Sequence, residues 1–127
     1  MHIYFIDGSL QVVDSVSGLN RVHATLEVFL GSSDVELRIS AERAIDPRTG
    51  WKSLSGLSFI KTPGPIHVTF GDDDYVQIAG SPENLQTYVS FFEFSDECLP
   101  GAHHHPEYVD REGYISDGSM YLTIEVR

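Results

Sequence analysis

The stretch 81-SPENLQTYVSFF-92 separates an all-β reading of this chain from an α+β one. Ser81 offers a side-chain oxygen to the free N–H groups of a first turn, and Pro82 suits the first helical position, where its missing N–H is not needed. Glu83 places a negative charge at the positive end of the helix dipole. Leu85, Tyr88, Val89 and Phe92 then fall at i, i+3, i+4 and i+7, which is one face of a helix. The spacing predicts one helix from Pro82 to near Asp96, stopped ahead of Pro100-Gly101.

On both sides of this helix the period changes to two. Met120, Leu122, Ile124 and Val126 alternate in the closing MYLTIEV and predict a strand whose apolar face packs under the helix. Upstream, Ile66, Val68 and Phe70 lead into Gly71-Asp72-Asp73-Asp74, and Val76 and Ile78 lead out, which predicts a hairpin. Aspartates bond readily to their own backbone in such a turn. Val22, Ala24, Leu26, Val28 and Leu30 also alternate, as do Val35, Leu37 and Ile39. With Gly31-Ser32-Ser33 between them, they read as a second hairpin. The segment from Ala41 to Phe59 is punctuated by Asp46-Pro47 and Thr49-Gly50 and reads mostly as loop, with a strand at Leu57–Ile60. Thr62-Pro63-Gly64-Pro65 is a firm break. The expected architecture is a single α+β domain over residues 1–127, an antiparallel sheet with one main helix packed on one face. Leu85, Val89, Phe92, Leu122 and Ile124 should share its core, with Leu26 and Val28 nearby.

A chain of 127 residues with 41% apolar content can bury one core without disulfide staples. Cys98 is the single cysteine, which excludes an internal disulfide and any multi-cysteine metal site. The first ten residues lack a basic start and a long apolar run, and no apolar stretch approaches membrane-spanning length. A cytosolic protein without a membrane partner is expected. The net charge of −11, from 19 acidic and 8 basic residues, repels nucleic-acid phosphates and anionic lipid and favours a basic protein partner. The same charge also serves solubility. The basic residues are scattered, so a nucleic-acid partner is not expected. Carboxylates at turn and outward strand positions, namely Asp72, Asp73, Asp74, Glu27 and Glu36, are the candidate contacts to a basic partner. Should charge fail as the recognition principle, outward aromatics such as Phe29 and Tyr121 come next.

The stretch 101-GAHHHPEYVD-110 carries the metal-binding alternative. In an extended segment His103 and His105 point to one side and His104 to the other. Two imidazoles at that spacing can share a divalent ion with Glu107 as an oxygen ligand. The competing reading is a strand start whose rings pack and bond locally. Three aspartates at 72–74 lack the remaining positions of a calcium loop. Cys98 with His103 could be drawn as nucleophile and base, although a lone cysteine after a helix is usually a small core residue. There is no Gly-rich phosphate loop and no GxSxG elbow. No cofactor and no catalysis are expected.

Residues 75–126 resemble a known family. The helix start GSPENL, the turn PGAHHHPE and the closing SDGSMYLTIEV are similar to the family called immunity protein 32, small α+β proteins associated with bacterial polymorphic toxin systems. The resemblance rests on Gly80, Gly101, His103, His105, Ser119, Leu122 and Ile124. It implies a protein that neutralises a cognate toxin by binding it, and it implies no active site. Many such toxins are basic nucleases, whose clefts a carboxylate-rich inhibitor can fill. In that reading His103 and His105 are structural or interface residues. The rival is a small metal-binding protein or metal-dependent enzyme built on His103, His105 and Glu107.

Overall fold

A tight Asp7-Gly8 turn begins the architecture. Both residues adopt positive φ, 49° and 83°, the conformation that suits a two-residue hairpin between twisted strands. It joins β1 (His2–Ile6) to β2 (Ser9–Asp14). In the computed structural model, which describes residues 1–127, eight strands and two helices follow one another. After β2 come α1 (Val16–Leu30), β3 (Glu36–Ser40), β4 (Gly56–Lys61), β5 (His67–Phe70), β6 (Tyr75–Gly80), α2 (Pro82–Val89), β7 (His103–His104) and β8 (Tyr121–Val126). The chain is α+β, as its sequence predicts. There are two sheets rather than one, and both are mixed. The first runs β1-β2-β8-β7 and the second β3-β4-β6-β5. In each, an inner parallel pair is flanked by antiparallel outer strands.

The stretch 22–30 is helix, not strand, so Glu27 stands on α1 and the hairpin expected around Gly31-Ser32-Ser33 does not exist. Ser15 caps α1 by accepting the Gly18 N–H. Leu19, Val22, Leu26 and Phe29 are buried at helical spacing, whereas Val28, part of the apparent alternation, is 75% exposed. Phe29, expected to face outward, is a core residue. At the far end of α1 the Lys61 ammonium donates to the carbonyls of Phe29 (2.9 Å) and Ser32 (2.8 Å), which satisfies orphan acceptors where a cation is favoured.

α2 starts as predicted, with Ser81 accepting the Asn84 N–H. It ends at Val89, passes through a short 3-10 turn at Ser90–Phe92 and stops well before Asp96. Asn20 of α1 explains the early stop. Its side chain donates to the Phe94 carbonyl (2.9 Å) and accepts the Phe94 N–H (2.8 Å), so the Phe94 backbone is unavailable to a helix.

One core joins the two helices and both sheets. Leu85, Val89, Phe92, Leu122, Ile124 and Leu26 are all buried in it, as expected. The sheets are also tied edge to edge. Residues 114–120, ahead of β8, run along β5, with Ile66 N–H donating to the Tyr114 carbonyl and Met120 N–H to the Val68 carbonyl. Residues 53–54, ahead of β4, lie along β1, where Leu54 N–H donates to the Ile3 carbonyl. No helix is long and apolar enough to cross a membrane.

Candidate functional site

Period two gives each sheet an inner and an outer face. On the first sheet, Ile3, Val12, Ile124 and His104 form an inward row. The outward rows are His2-Val13-Glu125-His103, then Tyr4-Gln11-Thr123, then Ile6-Ser9-Tyr121. His104 therefore turns into the protein, where its ring stacks on Phe94 (centroids 4.1 Å) and its Nδ1 bonds the Phe91 carbonyl (2.7 Å). His103 and His105 share the outer side, their ring centroids 5.0 Å apart. His105 bonds Thr123 Oγ1 through Nδ1 (3.3 Å) and stacks on Tyr108. His103 Nδ1 lies 3.1 Å from the Gly101 carbonyl.

Glu107 does not join the two imidazoles in a three-ligand set, and no group of three His, Cys, Asp or Glu side chains converges for a metal anywhere in the chain. The reason is local. β7 pairs with β8 over only two residues, and the Pro106 carbonyl beyond it accepts the Tyr114 hydroxyl (2.8 Å) instead of a β8 N–H. The Glu107 carboxylate turns inward and accepts the Leu122 N–H at 3.4 Å. Burial raises the pKa of Glu107 above its ordinary value, against the lowering effect of backbone N–H bonds and of His105. Cys98 packs half-buried against the core instead of pairing with His103.

The five candidate acidic contacts fall in three places. Asp72, Asp73 and Asp74 form an exposed turn between β5 and β6, with Asp73 and Asp74 at φ 59° and 60°. Arg43 pairs with Asp74 at 3.5 Å. Glu36 lies at the opposite end of β4, on the outer face of the second sheet, where it accepts from Ser58 Oγ (3.1 Å) and pairs with Arg38. Glu27, on α1, pairs with His23 (3.2 Å) and accepts from Gln86 (2.9 Å). They do not make one continuous patch.

Tyr121 is exposed on the outer face of the first sheet, as expected for an outward aromatic. Sequence reasoning missed what gathers around it: Trp51 and Tyr108 are exposed there or at its rim. At one end Asp46 is buried to 1% exposure. It accepts the Arg48 N–H (3.0 Å) and pairs with Arg127 (3.3 Å), in a cleft of about 500 Å³ also lined by Tyr4. The backbone N–H of Arg48 holds the Asp46 carboxyl below its ordinary value, helped by Thr49 and Arg127 and opposed by burial. At the other end a cleft of about 340 Å³ is lined by Glu107, Tyr108, Ser116, Asp117, Ser119 and Tyr121.

A second missed pair is His67 and Ser116, 2.6 Å apart between Nδ1 and Oγ. It resembles a nucleophile and base in distance alone. The Ser116 hydroxyl donates to the Ile66 carbonyl (3.1 Å), so its proton is directed away from His67, and the pair ties the 114–120 segment to β5.

The residues behind the family resemblance hold the fold together. A Cβ on Gly80 would lie 2.6 Å from Ile66 Cδ1, and Gly101 sits at φ 98°. Ser119 Oγ accepts the Val68 N–H (2.8 Å), and Leu122 and Ile124 are fully buried. Comparison with known family models, curated proteins and solved structures finds no match to this chain.

Proposed function

We propose that this chain is a non-enzymatic, cytoplasmic binding protein of the immunity type, which neutralises a basic bacterial toxin by docking the outer face of its first sheet onto it. The observation that carries this reading is the placement of Trp51, Tyr108 and Tyr121, exposed, around a rigid sheet face that also presents His103, Glu125 and Arg127. Large aromatics and arginine are the side chains that most often supply binding energy at protein interfaces, the aromatics because they bury much area at little entropic cost. The net charge of −11 adds long-range attraction to a basic partner. The resemblance over residues 75–126 points to the same role.

Co-expression with a toxin domain found encoded beside this chain tests the reading, and the absence of any such neighbour counts against it. Growth should be restored and a stable complex recovered, and Tyr108→Ala or Tyr121→Ala should each weaken the complex by about 2 kcal/mol. Undiminished toxicity, with no heat of binding between the purified proteins, overturns it.

A further inference from the structure

The cleft at the Glu107 end of the first sheet combines three features. Its floor is a carboxylate on a residue only 9% exposed. That carboxylate has no lysine or arginine partner among the ion pairs of the molecule. The one hydrogen bond it receives from another residue, from Leu122 N–H, is long at 3.4 Å. Below it the Tyr88 hydroxyl is fully buried and has no partner, and the negative charge of Glu107 acts on it. His105, whose charge acts on the carboxylate, does not form an ion pair with it and instead bonds Thr123 and stacks on Tyr108. A buried charge is normally paired, since leaving water costs it several kcal/mol. Here the compensating cation is missing from the chain itself.

The walls indicate what shape that cation has. Tyr108 and Tyr121, 74% and 63% exposed, present aromatic surface to the same cleft, and Ser116, Asp117 and Ser119 add acceptors at its rim. A flat cation with several fixed donors can stack on a ring while donating to a carboxylate and to hydroxyls. A guanidinium has that form, whereas an ammonium is a compact point charge. We propose that this cleft receives an arginine side chain of a basic partner protein, its guanidinium against Glu107 and beside Tyr108 and Tyr121. The proposal deepens the binding reading above and rests on it for the identity of the partner as a protein, but not for the affinity of the cleft for guanidinium.

The test therefore needs no toxin. Untagged protein is titrated with N-acetyl-arginine amide while the Glu107 side-chain carboxyl and the rings of Tyr108 and Tyr121 are followed by NMR. The neutral isostere N-acetyl-citrulline amide and the ammonium compound N-acetyl-lysine amide serve as comparisons. Saturable shifts at all three residues are expected with the arginine compound, weaker ones with lysine and none with citrulline. Glu107→Gln keeps an acceptor for the Leu122 N–H but removes the charge. It should weaken the arginine response about tenfold or more, while the Tm stays or rises. If that variant fails to fold, Tyr121→Ala, at an exposed position, should weaken the same response by a similar factor. Arginine shifts that match those of citrulline, or that persist unchanged in the folded variant, overturn the proposal. Equal affinity for lysine overturns the assignment to arginine. A cleft that binds guanidinium in a protein that protects against no toxin would leave the cleft assignment standing and remove the immunity role.

Discussion

Asp46 and Glu107 are two buried carboxylates at opposite ends of one sheet face, and their surroundings could hardly differ more. Asp46 accepts a backbone N–H from Arg48 and is paired with Arg127, and its pKa is held down. Glu107 receives one long hydrogen bond from another residue and has no Lys or Arg partner, and burial pushes its pKa up. The first closes a corner, pinning the 41–53 loop to the end of β8. The second leaves an uncompensated charge in an open cleft. A carboxylate satisfied from within its own chain is structural. One left unsatisfied costs stability and is explained most simply by a group that arrives from outside.

β8 is the strand that both regions share. Leu122 donates its N–H to Glu107, and Arg127 follows directly on the strand's last residue. Leu122→Ala, at a fully buried position, should thus be among the most costly single changes, about 2–5 kcal/mol in chemical denaturation. Phe59→Ala, equally buried in the second sheet, should cost about 3–5 kcal/mol. Both variants should unfold in one transition, because one core unites the sheets. Two separable transitions, or a cost for Leu122 below about 1 kcal/mol, would show that the strand is peripheral and that the two carboxylate regions are not mechanically linked through it.

Acid titration sharpens the contrast next. The folded pKa of Asp46 lies below its ordinary 3.8, so the stability it contributes is present above that value and is lost as pH falls through the depressed folded value. The folded pKa of Glu107 lies above its ordinary 4.5, so its contribution is greatest below 4.5 and is lost as pH rises through the raised folded value. Asp46→Asn should accordingly lower the Tm at neutral pH and flatten the acid limb of the stability curve below about pH 4. Glu107→Gln should leave the Tm unchanged or raise it at neutral pH, and its advantage should vanish near pH 4. Tm measured from pH 3 to 8 for the three proteins decides the matter. A Glu107→Gln variant that loses stability at pH 7 would mean the carboxylate is as well compensated as Asp46.

The sequence disclosed the secondary structure unevenly, and for physical reasons. α2 was legible because its cap, its proline and its apolar stripe all agree. α1 was not, because Val22, Ala24, Leu26, Val28 and Leu30 mimic a strand unless the window begins at the Ser15 cap and Leu19. The Asp7-Gly8 hairpin carried a strong local signal, a type-specific turn between alternating residues, and only its reading was missing. The parallel pairings β2–β8 and β4–β6 leave no local trace, since they are set by packing across long stretches of chain. The candidate site was hidden in the same way. His103 and His105 do share a side, as alternation requires, but the inward turn of Glu107 depends on a tertiary bond, its carboxylate taking the Leu122 N–H while the Pro106 carbonyl takes the Tyr114 hydroxyl. The gathering of Tyr108, Tyr121 and Glu107 follows from how residues 105–121 are folded against β8, which no spacing rule encodes.

The smallest effect is expected at the exposed aspartates, and it separates steering from seating. Asp72, Asp73 and Asp74 lie on the second sheet's turn, do not line the Glu107 cleft, and are exposed. Charges of this kind act on a basic partner over roughly a Debye length, about 10 Å at 0.1 M salt, and so alter the encounter more than the final contact. Replacing all three with Asn should slow association by about two- to fivefold at low salt, leave dissociation nearly unchanged, and lose its effect above about 0.5 M salt. Glu107→Gln should do the reverse, raising the off-rate with little change in the on-rate, because a desolvated pair is felt only once the surfaces have closed. Stopped-flow binding to the candidate toxin across a salt series distinguishes the two variants. If the triple variant changes mainly the off-rate, the 72–74 turn belongs to the interface itself and the docking face extends to the second sheet. If wild type and both variants share a flat salt dependence, charge is not the recognition principle, and the exposed surface of Tyr108, Tyr121 and Trp51 must supply the affinity through apolar burial alone.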